Sequence, residues 1–134
     1  MPKASSQRDR AHARIYAEWL HLPAWRRMSP HARALLVETM TAYRPRTGNH
    51  FEWSERSAAR ALGCGRKSAA KALRQLVICG WFSLERAGRT NGPRDTRASV
   101  YSLTMFGTET DNTPSKEFLN WDFVVSKDTT NGLF

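Results

Sequence analysis

The sequence predicts a small, mainly α-helical domain with a β-hairpin on its C-terminal side, and three observations carry that prediction. Helix-start and helix-stop signals alternate through the middle of the chain: Ser29-Pro30 and Ser54 open helices, Gly63 and Gly80 close them. Between these signals apolar residues recur at spacings of three and four, the helical period. Two roughly alternating runs, Trp81-Phe82-Ser83-Leu84-Glu85 and Ser99-Val100-Tyr101-Ser102-Leu103, then flank a stretch rich in Gly, Pro, Asn and Arg. At 134 residues the chain is long enough for one domain with its own core and arms, and too short for two.

Residues 1–23 read as a basic N-terminal helical arm. After a small, polar start at 1–6, a helix is expected from Gln7 to about Leu20, with Ala11, Ile15, Trp19 and Leu22 on one side and Arg8, Arg10 and Arg14 on the other, until Pro23 breaks the run. Residues 24–104 form the main domain. Ser29 caps a helix that runs to about Tyr43, with Pro30 at the position where its missing N–H costs nothing and with Leu35, Leu36, Met40 and Tyr43 inward. Arg44 to Asn49 has loop composition, and Phe51 to Trp53 suits a very short strand. Ser54 caps a helix from Glu55 to Leu62, with Glu55 against the positive end of its dipole. Gly63 ends that helix, and another runs from about Arg66 to Cys79, ended by Gly80. Residues 105–134 read as an acidic, aromatic tail with an apolar cluster at Phe118, Leu119, Trp121, Phe123, Val124 and Val125. Exposed aromatics at this density are uncommon, so docking of the tail on the domain is favoured over capture of a partner protein through 118–125 and over disorder.

Charge narrows the function. Twenty-one Lys and Arg against twelve Asp and Glu give a net charge of +9, and it is unevenly placed: +6 in residues 1–50, +6 in 51–104 and −3 in 105–134. A basic body favours a polyanionic partner, either nucleic acid or an anionic membrane. No apolar run approaches a bilayer span, so no membrane role is expected. Neither a secretory signal nor a Cys-x-x-Cys pair is visible, and Cys64 and Cys79 read as small apolar fillers in a protein of the reducing cytoplasm. His12, His21, His31 and His50 lack ligand spacing, so no metal and no cofactor is expected. No phosphate loop, GxSxG, HExxH or paired-carboxylate motif recommends an enzyme.

The helix after Gly63 carries the candidate site. At 100° per residue, Ala69, Ala70, Leu73, Leu76 and Val77 make a core stripe, and Lys67, Ser68, Lys71, Arg74 and Gln75 fall opposite, with Arg66 at the start. Arg and Lys donate to guanine O6 and N7, Gln pairs with adenine, and Ser reaches phosphate or base edges. Ile78 lies on the polar side, where it fits packing under the hairpin or against another chain. Arg86, Arg89, Arg94 and Arg97 on or beside the hairpin tip suit phosphates or a minor groove, and Arg56 and Arg60 on the preceding helix suit the flanking backbone. Trp53, Trp81, Phe82 and Tyr101 sit at strand positions and read as core rather than as a stacking platform for single strands.

Helix, short strand, helix, three-residue turn, helix, hairpin is the layout of a winged helix–turn–helix, mainly α with a small β-hairpin wing. Three stretches resemble such domains in bacterial, plasmid and phage regulators and replication initiators: Ala24 to Ala32, Trp53 to Gly63, and Ala70 to Leu76 leading into Gly80 and the Trp81-Phe82 pair. The resemblance spans about Ala24 to Thr104. It implies that the helix from Arg66 enters the major groove and that Trp81–Leu103 is the wing. The resulting expectation is a sequence-specific double-stranded-DNA-binding protein, a transcriptional regulator of bacterial, phage or mobile-element origin, with homodimerisation left open. Replication initiation or excision is the same-class alternative. A protein-interaction adaptor using wing and tail is the alternative of a different class.

Overall fold

A computed structural model describes residues 10–88, 98–108 and 111–122. Among them the chain runs through a 3-10 turn (Ala17–His21), α1 (Pro23–Arg26), α2 (Pro30–Ala42), β1 (Phe51–Trp53), α3 (Glu55–Leu62), α4 (Arg66–Ile78), β2 (Phe82–Arg86), β3 (Ser99–Leu103) and a second 3-10 turn (Glu117–Asn120). The architecture is mixed α/β: four helices, and one antiparallel sheet in the order β1-β3-β2. Phe51 pairs with Tyr101 and Trp53 with Ser99, while Phe82 faces Leu103 and Leu84 faces Tyr101. A bulge between Leu84 and Arg86 shifts the β2 register before the hairpin tip.

The helices start and stop where their end groups find partners. Ser29 Oγ accepts from the Ala32 N–H. In a capping box the third helical residue would return the favour to the cap's own N–H, but that residue is Ala32; instead Gln75 of α4 accepts from Ser29 N at 2.8 Å. α3 closes its own box, because Ser54 Oγ accepts from Ser57 N and Ser57 Oγ accepts from Ser54 N, each at 2.9 Å. Gly63 ends α3 at φ 65° with open space where a Cβ would lie, so its backbone conformation alone asks for glycine.

The core lies between α2, α3, α4 and one face of the sheet, with Leu35, Leu36, Ala58, Ala69, Ala72, Leu76, Phe82 and Leu103 buried. Trp81 is its hub. The ring is fully buried, its Nε1 donates to Ala24 O at 3.1 Å, and Trp19 and Trp25 meet it edge-on. Phe118 stacks on it at 4.1 Å and 7°. The tail therefore returns to the domain as far as Asp122: Phe118 and Trp121 are buried, and Lys116 N donates to Thr104 O. Gly80 permits this docking. Its φ is +85°, and a Cβ there would lie 2.7 Å from Glu117 C and Phe118 N.

The N-terminal arm departs from the expected helix. Residues 10–16 have no regular structure, and 7–9 lie outside the described residues. Pro23 opens α1 at its first position rather than merely ending a run, and it holds Leu22 extended (ψ 142°). The spacing of Ala11, Ile15 and Trp19 thus serves a strap in which Trp19 enters the aromatic cluster while Ala13 and Ile15 lean on the core's edge.

Candidate nucleic-acid interface

α4 shows one cationic line to solvent. Lys67, Lys71 and Arg74 are exposed and stand at intervals of four and three residues, which at about 100° per residue keeps them within about 60° of one another. Among the described residues no carboxylate lies within ion-pair distance of any of the three. Arg66, one edge further round, lies 3.8 Å from Glu55, with both side chains largely exposed; such a pair is weak and easily exchanged for another anion. Ser68 is half-buried at the flank. No side chain caps the α4 N-terminus at Gly65 among the described residues, so its first N–H groups stay available.

Gln75 does not belong to this surface. It is 2% exposed and holds the N-terminus of α2 through Ser29. The buried stripe of α4 runs through Ala69, Ala72, Leu73 and Leu76, rotated by about 60° from the expected one. Ala72 takes the buried place expected of Ala70, on the flank where Gln75 meets the start of α2. Ala70 and Val77 are left half-buried. Ile78 is half-buried against the same core, within this chain.

Arg56 and Arg60 are exposed on α3, so α3 and α4 both present cations to solvent. Arg86, at the end of β2, is exposed and 3.9 Å from Glu52 of β1. Gly88 N donates to Ser99 Oγ at 2.7 Å and closes the base of the hairpin. Arg89, Arg94 and Arg97 lie outside the described residues. Trp81, Phe82 and Tyr101 are buried, and Trp53 donates through Nε1 to Thr39 Oγ1 at 3.1 Å, so these aromatics are structural. Burial pushes the Cys79 thiol up to about 12 and keeps it protonated.

No model of a known protein family, no curated protein and no solved structure matches this chain. No helix among the described residues is long and apolar enough to cross a membrane.

Proposed function

We propose that the protein binds double-stranded DNA sequence-specifically as a winged helix–turn–helix protein, and that it regulates transcription in a bacterial, phage or mobile-element setting. The line Lys67-Lys71-Arg74 on the solvent side of α4 carries the reading: three cations on one helical face without acidic partners among the described residues. α4 would lie in the major groove, with its uncapped N-terminus and Arg66 toward a phosphate and the line toward base edges. Arg56 and Arg60 would hold the adjacent backbone, and Arg86 would lead the hairpin toward it. The sheet order β1-β3-β2 and the left-handed Gly63 between α3 and α4 support the same architecture.

An adaptor role finds less support, since Phe118 and Trp121 are spent on the chain's own core. Replication initiation or excision would use the same surface. Selection from a random duplex pool tests the reading. A defined motif should emerge, and Lys71→Ala and Arg74→Ala should each lower affinity for it by about 1–3 kcal/mol while leaving random-sequence binding less affected. Recovery of no motif, or equal loss on all sequences, would reject base reading by α4.

A further inference from the structure

A second cationic site lies away from α4. At the C-terminal end of α2 a cavity of about 450 Å³ opens between the N-terminal strap, the loop after α2 and the turn after β3. That volume is in the range of small-molecule sites, about 300–1,000 Å³. No residue of α3, α4 or β2 lines it. Its apolar surface is built from Trp19, Met40 and Met105, all buried, and from the Tyr43 ring, which stacks on Phe106 at 4.0 Å and 9°. Four cations stand among its lining residues, Arg10, Arg14, Arg44 and Lys116, and no Asp or Glu does.

Like charges gathered round one cavity repel unless an anion joins them. Arg44 is held by its side chain and Lys116 by its backbone. Arg44 Nη1 donates to Thr41 O and Tyr43 O, each at 2.7 Å, which ties the guanidinium across the end of α2 and leaves Nε and Nη2 with no partner among the described residues. Lys116 sits at φ 47° with its N–H fixed on Thr104 O; a side chain at positive φ is uncommon and marks a position held by its surroundings.

We propose that this cavity binds a small organic anion: a flat, apolar ring system against Tyr43, Trp19 and the two methionines, with a carboxylate or phosphate taken by Arg44, Arg14 and Lys116. The site stands whether or not the protein binds DNA.

Titration of the full chain with 2-naphthoate, 1-naphthyl phosphate and the neutral 2-naphthalenemethanol tests it, followed by NMR at the Trp19 indole and the Met40 and Met105 methyls. Saturable one-to-one binding of at least one anion is expected, with shifts at those three residues and about tenfold weaker binding of the alcohol. The stronger of the two anions identifies the headgroup. Arg44→Ala should weaken the anion about tenfold, the usual scale for a hydrogen bond to a charged group. Arg14→Ala should also weaken it, and both positions are exposed enough to leave the fold intact. Equal binding of the alcohol, shifts confined to other residues, no binding of either anion, or indifference to both substitutions would overturn the proposal. So would a random-sequence DNA duplex that moves the same three resonances, because the cations would then belong to a polyanion surface.

Discussion

Gln75 shows how one side chain divides stability from recognition. Its carbonyl replaces the acceptor that Ala32 cannot supply to the Ser29 amide, so Gln75→Ala leaves that N–H without its partner at the end of α2. A loss of about 1–3 kcal/mol in chemical denaturation is expected. DNA affinity of the folded Gln75→Ala protein should match wild type; a selective loss on the preferred motif would return the residue to the reading face. Cys79 makes a separate prediction about pH. Burial raises this thiol from the ordinary 9.0 to about 12. Above pH 9 the unfolded state therefore binds fewer protons than the folded state, and stability falls as pH rises through that window, by up to about 1.4 kcal/mol per pH unit from this group. Cys79→Ala should remove that component of the slope, visible as a smaller difference between denaturation midpoints at pH 8.5 and 10.5 (about two pH units apart). The same slope in both proteins would rule out Cys79 as its source.

Among the elements, what the sequence discloses is whatever depends on near neighbours. Ser29-Pro30, Ser54 and Gly63 fix their helix ends through contacts a few residues away, so that α2 and α3 begin, and α3 ends, where those residues lie. The rotation of α4 was hidden because its cause, the Ser29 amide, is 46 residues distant. The strap was hidden because Trp19 answers to Trp81 and Phe118, not to a helical neighbour. The pairing of β1 with β3 likewise joins residues as far apart as Phe51 and Tyr101, and Asn49 secures it: its amide donates to Leu103 O at 2.7 Å and accepts from Leu103 N at 2.8 Å, imitating one more pair of the ladder. Of the candidate site, the cationic line of α4 was legible and its boundary with the core was not. Gly80 carries a prediction at this scale. Gly80→Ala meets both the strain of φ +85° and the backbone of Glu117 and Phe118, for a cost of about 2 kcal/mol or more. In a cycle with Phe118→Ala the two losses should fall short of adding by at least about 0.5 kcal/mol, since each loosens the same turn. Strict additivity would mean that Gly80 acts through its own conformation alone.

For the molecule as a whole, the decisive quantity is charge in salt. If Arg56, Arg60 and Arg66 neutralise phosphates, log K for a duplex should fall with log salt at about 0.9 per contact, a slope near 3 for three contacts. Removing one phosphate contact should lower the slope by about one. A slope near zero would favour docking through apolar surface. The Arg10, Arg14, Arg44 and Lys116 group lies elsewhere on the molecule, so substitutions there should leave the slope for a short duplex unchanged.

The stack of Phe118 on Trp81, with Trp19 edge-on to both, also has an optical consequence. Two rigid indoles beside a phenyl ring parallel to one of them, in an asymmetric, buried setting, should give strong near-ultraviolet ellipticity from rings that are fixed in mutual orientation. Release of the turn at 117–120 would weaken that band, with Trp19 and Trp25 still edge-on to Trp81, while the far-ultraviolet helical signal persisted. The chain thus holds an intrinsic chromophore that reports the seating of the Glu117–Asn120 turn without any label.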